Sequence, residues 1–139
     1  MISKQPKAHD FTEADAGLGT ASYRRVTLDA NRVLAGGKAA MRLNLMGHDS
    51  DVAGRDTIFK RRWGVAPSLA LGLNSPTRLT LGFFHQSDDN LPDYGVPAFR
   101  GKMLDGVSRN AYFGWRNLDR EKIGQDALTA KIEHDFASG

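Results

Sequence analysis

Arg62-Trp63-Gly64-Val65-Ala66-Pro67-Ser68-Leu69-Ala70-Leu71-Gly72-Leu73, then Asn74-Ser75-Pro76-Thr77, then Arg78-Leu79-Thr80-Leu81-Gly82-Phe83-Phe84-His85 is the stretch that decides the fold. Between Arg62 and Leu73 the odd-numbered parity carries Trp63, Val65, Leu69 and Leu71, and the even-numbered parity carries Gly64, Ala66, Ser68 and Ala70. A period of two is the signature of a strand with unlike faces, and the Asn-Ser-Pro-Thr link is a tight turn, so the whole reads as a β-hairpin. The pattern spreads outward. Val26, Leu28 and Ala30 alternate with Thr27, Asp29 and Asn31, and after Ala35-Gly36-Gly37-Lys38 the residues Met41, Leu43 and Leu45 alternate with Arg42 and Asn44. Phe11 to Gly19 and Ala127 to Phe136 alternate as well. The reading is all-β, with about six strands of ~9–12 residues, roughly twice the usual soluble length and long enough to cross hydrocarbon at a tilt.

The links discriminate further. Ala35 to Lys38 and Asn74 to Thr77 are tight, Gly19 to Arg24 is modest, and 47–61 and 87–126 are long. In an antiparallel up-and-down sheet alternate links share an end, so the tight turns fall on one side and the long loops on the other, the asymmetry of a transmembrane β-barrel. Tyr23, Phe59 and Trp63 then sit at the outer strand ends and Phe11 and Phe136 at the inner ends, where interfacial aromatics belong. Asp29, Asn31, Arg42, Asn44, Lys131, Glu133 and Asp135 share the non-greasy parity and are expected to face a polar lumen. The alternative is a soluble all-β ligand-binding module, in which Leu69, Leu71, Leu79, Leu81 and Phe83 would pack inward against a second layer.

Composition narrows the function. The 139 residues are 40% hydrophobic and 25% charged, with 15 Gly and no Cys, and the longest stretch without a charged residue, Trp63 to Thr77, is about 15 residues and holds two prolines. That is too short for a spanning helix. The net charge of +3 comes from interleaved signs, 19 Lys and Arg against 16 Asp and Glu, without the concentrated basic face that a nucleic-acid partner requires. The opening residues lack the apolar core of a signal peptide. Gly17-Leu18-Gly19 lacks the third glycine and helix of a dinucleotide site, and the segment from Asp49 fails as a calcium loop because Lys60 stands where a bidentate Glu is needed. The four histidines are too scattered for zinc, and no nucleophile elbow, phosphate loop or paired carboxylate is present. Neither an enzyme, a metal site nor a cofactor is expected.

Several segments in order carry a resemblance. Ile2-Ser3-Lys4-Gln5-Pro6-Lys7, Ser22-Tyr23-Arg24-Arg25-Val26-Thr27-Leu28-Asp29-Ala30-Asn31, Arg42-Leu43-Asn44-Leu45-Met46, Lys60-Arg61-Arg62-Trp63-Gly64-Val65-Ala66-Pro67-Ser68-Leu69, Asn90-Leu91-Pro92-Asp93-Tyr94-Gly95-Val96-Pro97 and Glu133-His134-Asp135-Phe136 together resemble the barrel domain of TonB-dependent siderophore receptors. The resemblance implies that residues 1–10 are a plug–barrel junction and that 11–139 hold the first six or so strands of a barrel of ~22, located in the outer membrane. It implies ferric siderophore as cargo, lipid around the wall, and the TonB complex as a partner reached only through a plug. Without that plug the chain is expected to be a fragment, inactive alone. The 87–126 loop is far longer than the ~12–15 residues beyond which an unstructured link is usually functional. It concentrates aromatics and guanidinium groups suited to an anionic, partly aromatic iron chelate, and Tyr94, Arg100 and Trp115 represent the expected ligand contacts.

Overall fold

The computed structural model describes residues 4–136. Its long strands are β1 (Phe11–Leu18), β2 (Arg24–Leu34), β3 (Ala39–Asp51), β4 (Phe59–Leu71) and β5 (Thr77–Asn90); the two-residue strands β6 (Ala98–Phe99) and β7 (Lys102–Met103) follow, and then β8 (Glu121–His134). The six long strands form one antiparallel sheet in the order β1-β2-β3-β4-β5-β8, and β6 and β7 pair only with each other inside the last loop. No α-helix occurs among the described residues, and a single 3-10 turn, Ala35–Gly37, joins β2 to β3. The alternation read in the sequence is therefore a real ladder. Met1–Ser3 of the expected junction lie outside the described residues.

Register aligns like with like. Leu28, Leu45, Val65 and His85 form one cross-strand row, and Arg32, Met41, Leu69, Leu81 and Ala130 form another. The intervening parity brings Glu13, Asp29, Asn44 and Ala66 into one row and Asn31, Arg42, Ser68, Gly82 and Thr129 into the next. One face is greasy and the other polar, because a period of two cannot do otherwise once register is fixed.

No second layer covers the greasy parity. Leu128 is 85% exposed, Ile132 74% and Trp63 52%, with Met41, Leu81 and Phe83 also exposed. Buried apolar side chains among the described residues are limited to Pro6, Ala39, Ala40, Ala70, Ile58 and Leu91, while Asp29, Asn31, Arg42, Ser50 and Asp88 are buried polar ones. A soluble sandwich buries its apolar parity between sheets, and this sheet does the reverse. From Trp63 to Leu71 the apolar parity runs about 26 Å along β4 at ~3.3 Å per residue, which a ~40° strand tilt projects to about 20 Å, close to the ~25 Å band of outer-membrane barrels.

Two expectations need correction. The ladder continues past the expected loop boundary at Gly47: β3 reaches Asp51, β4 starts at Phe59, and β5 and β8 stay paired out to Asn90 and Glu121, so the true links are 52–58 and 91–120. Apart from Phe59 and Ile123 these outer rungs are polar on both faces, which reads as loop in a sequence, but they are fastened across strands. Arg61 meets Asp49, Arg62 grips Asp88, Arg120 pairs with Asp89 and Asn90 donates to Glu121. The aromatic assignment is also half right. Phe59 and Trp63 share the apolar parity, but Phe11 pairs in register with Asn31 and Tyr23 packs on His48, so both lie on the polar face. Phe136 follows the end of β8 and stacks edge-on against His134.

At the tight-turn end Leu73 N–H donates to the Lys38 carbonyl at 2.9 Å and Asn74 donates to the Gly37 carbonyl at 3.2 Å, tying the two turns together. Gly72 has φ +73°, and a methyl there would overlap the Thr77 carbonyl oxygen, so the β4–β5 turn requires glycine on both counts. The opposite end carries the links 19–23, 52–58 and 91–120, and Asp51 N–H donates to the Ala21 carbonyl at 2.8 Å.

Candidate functional site

On the polar face a buried cradle holds the N-terminal strap. Asn31, fully buried, accepts from Lys7 N–H at 2.9 Å and donates its amide to the carbonyls of Lys7 at 2.8 Å and His9 at 2.7 Å. Arg42 grips both oxygens of Asp29 at 2.7 Å through Nε and Nη2, and its Nη1 donates to the Gln5 carbonyl at 2.8 Å. Lys4 adds a second cation on Asp29 at 2.7 Å, and the Arg42 guanidinium lies 5.0 Å from the Phe11 ring centre. Asn44, with its amide nitrogen turned to Asp29, donates at 3.1 Å. Every buried polar group here therefore has a partner, which is the condition for burying charge at all. The alternation of β2 and β3 makes the cradle: Asp29, Asn31, Arg42 and Asn44 share one parity and adjacent rungs. Beyond the strap the polar face keeps two cavities of about 260–280 Å³, with Glu13, Asp15, Arg25, Asp29 and Gln86 around one and Asn44, Ser68, Gln125 and Thr129 around the other.

At the far end the two longer loops are locked together by Arg55. Its guanidinium donates to the Arg109 carbonyl at 2.6 Å, to Asp93 Oδ1 at 2.6 Å and to the Gly95 carbonyl at 3.0 Å, and Asp56 N–H donates to the Asn110 carbonyl at 2.6 Å. Ile58 and Leu91 are buried beneath. Tyr94 stacks on Tyr112 with ring centres 6.3 Å apart and planes 29° off parallel. The Tyr112 hydroxyl donates to Asp119 Oδ2 at 2.9 Å, and the same oxygen accepts from Trp115 N–H at 2.6 Å. Asp119 thus joins the stacked tyrosines to the turn that presents the Trp115 ring.

Of the three residues expected from sequence, Tyr94 (61% exposed) and Trp115 (74% exposed) come together through Tyr112 and Asp119. Arg100 sits apart, at the left-handed tip of the β6–β7 hairpin with φ 49°, its guanidinium 5.3 Å from the Phe99 ring centre. Arg55, Asp93 and Asp119, which hold the loops in shape, were not singled out by sequence. A lone Arg in a short loop and a lone Asp between aromatics carry no spacing signal, since their partners lie in other loops or across a turn. Chemically the cluster offers flat aromatic faces beside cationic side chains: between 91 and 120 stand Arg100, Lys102, Arg109, Arg116 and Arg120 against Asp93, Asp105 and Asp119.

Partial burial and the neighbouring Asp119 carboxylate push the Tyr112 phenol up to about 12. Tyr112 is therefore protonated at neutral pH and acts as a donor and a stacking face. Because its pKa is raised on folding, its contribution to the loop cluster is complete below about pH 10 and is lost as pH climbs from 10 toward 12. The difference in phenolate absorbance between the folded protein and its Tyr112→Phe variant should titrate near pH 12; a midpoint at the ordinary value near 10 would show that the Asp119 bond does not form.

No protein-family model matches the chain. Curated relatives do: it is 47% identical to the catecholate siderophore receptor Fiu of Escherichia coli K12 over 98% of its length, and 43% identical to the probable TonB-dependent receptor BfrD of Bordetella pertussis over all of it. The chain is homologous to TonB-dependent siderophore receptors. It spans 19% of the length of each of these relatives. Among solved structures, the closed form of the ferric-catecholate import receptor Fiu of E. coli K12 superposes with a TM-score of 0.89 at 35% identity, over 99% of this chain and 21% of that one. The siderophore receptor PiuA of Acinetobacter baumannii gives 0.89 at 36%, over 99% and 20%. The six-stranded sheet is thus the fold of a segment of TonB-dependent receptor wall, as the sequence resemblance implied.

Proposed function

We propose that this chain forms part of the wall and outer mouth of an outer-membrane receptor for TonB-coupled uptake of a ferric siderophore. Its relatives are named as receptors, and the reading is of a transporter and not an enzyme. The observation that carries it is the sheet's inverted polarity: an uncovered apolar face backs a polar face with buried, fully paired charges, in a chain homologous to such receptors along its entire length. Residues 4–10 serve as the junction, fixed to the wall by Asn31 and Arg42, so that force applied further N-terminal meets an anchored segment. The 91–120 loop captures the cargo, with the Tyr94, Tyr112 and Trp115 rings meeting aromatic donors of the chelate and Arg100 countering its negative charge. Catecholate chelates fit best, being both planar and anionic.

The test is alanine replacement of Tyr94, Arg100 and Trp115 together in the full-length protein carrying this segment. Binding of a ferric catecholate should weaken by about tenfold or more, as for loss of exposed aromatic and arginine anchors, with heat-resistant barrel assembly unchanged. Unaltered affinity would remove the loop from recognition.

A further inference from the structure

The apolar face carries two depressions that run into one another. The outer, about 530 Å³, is lined by Arg24, Val26, Gly47, Asp49, Arg61 and Trp63 among others; the inner, about 330 Å³, continues between Leu28, Leu45 and Val65 and shares Val26, Gly47 and Trp63 with the first. Register explains the trough. Gly47 stands between Val26 and Trp63 in one cross-strand row and has no side chain to fill the gap. The next row outward reads Arg24, Asp49, Arg61, Asp89, and Asp89 also lines the outer depression.

Charge sorts the cations around it into two groups. Arg62, pointing to the other face, is bidentate on Asp88, and Arg120 covers Asp89. Arg24 makes no ion pair among the described residues. Arg61 meets Asp49 only at 3.5 Å, with both side chains half exposed, and rests over the Phe59 ring at 4.6 Å. One strand, β3, separates Arg24 from Arg61, and two inter-strand spacings put their backbones about 10 Å apart, which two long side chains can close around one headgroup. The result is an apolar trough headed by two incompletely neutralised guanidinium groups at the outer edge of the greasy band.

We propose that this trough binds one acidic membrane lipid, its phosphate held between Arg24 and Arg61 and an acyl chain laid over Gly47 along Val26, Leu28, Leu45 and Val65. The inference rests on the membrane-facing reading above. Guanidinium forks match phosphate in charge and geometry, and at the edge of hydrocarbon they do so with little competing water.

The experiment uses the full-length protein in lipid nanodiscs, with Trp63→Phe as the reference that isolates the Trp63 fluorescence. The probes are a phosphorylated outer-leaflet lipid and the same lipid with its phosphates removed, and retained lipid is read by native mass spectrometry. The phosphorylated form should be retained about tenfold better, and Arg24→Gln/Arg61→Gln should abolish that preference. Gly47→Leu, which fills the trough without touching charge, should lower retention of both forms. Undiminished preference in the double variant, or equal displacement by inorganic phosphate, would overturn the site. Quenching of Trp63 by brominated acyl chains reads the membrane-facing assignment separately. Quenching in wild type and variants keeps that assignment whatever becomes of the site, and its absence would overturn both.

Discussion

Arg42→Ala in the full-length protein carrying this segment is expected to lower stability by about 3 kcal/mol and to free the N-terminal strap. The magnitude follows from what is left behind. Asp29 is buried and accepts from two Arg42 nitrogens, and removing one partner of a buried pair costs ~3–5 kcal/mol because the survivor's charge remains desolvated. The lower end applies here, since Lys4 still reaches Asp29 and its own side chain is largely exposed. The Gln5 carbonyl loses its donor as well, so residues 4–10 depend on Asn31 and the Asp10 contact to Val33. Thermal melting in detergent should fall and proteolysis at Lys4 and Lys7 should accelerate. Arg42→Met/Asp29→Leu, which removes both charges and keeps volume, should recover most of the melting temperature without restoring protection of the strap. If Arg42→Ala melts as wild type does, the cradle carries no stability and the anchored junction must be given up.

The contrast between this cradle and the outer cluster shows what a single sequence can disclose. Asp29, Asn31, Arg42 and Asn44 were legible because a strand's parity is written locally: each polar residue alternates with Leu28, Ala30, Leu43 or Leu45, and only a polar face can receive them. That Asn31 should hold the backbone of Lys7 and His9 was not legible, since nothing in a side chain names a partner more than twenty residues away. Strand ends failed for a related reason. His48 to Asp51 and Lys60 to Arg61 look like loop when polarity is taken for solvent exposure on an irregular chain, yet above the apolar band both faces of a paired ladder are wet, and cross-strand ion pairs hold it. Phe11 and Tyr23 show the same limit: an aromatic at a strand end suits a lipid interface or a lumen wall, and only register decides.

Gly114→Ala should have an effect out of proportion to one methyl group. The backbone at Gly114 is not left-handed, so the cost is purely one of room: a Cβ there would overlap Asp119 Oδ2 and the Tyr112 hydroxyl. Those two atoms are bonded to each other, and Asp119 also holds Trp115 N–H, so neither can retreat without breaking the link between the stacked tyrosines and the turn that presents Trp115. Interiors this close respond to added volume by losing ~1–3 kcal/mol, and a surface loop with few other contacts meets that by opening. In the full-length protein, Gly114→Ala should therefore bring the Tyr112 titration back toward 10, speed proteolysis within 91–120 and weaken ferric-catecholate binding by about tenfold, while barrel melting stays unchanged. Tyr112→Phe separates the steps. It removes the hydrogen bond but keeps the ring, so it should cost less binding than Gly114→Ala if loop shape, and not the hydroxyl, is what the ligand meets. Equal losses in the two variants would assign the hydroxyl a direct contact, and no loss in Gly114→Ala would dismiss the cluster as the capture site.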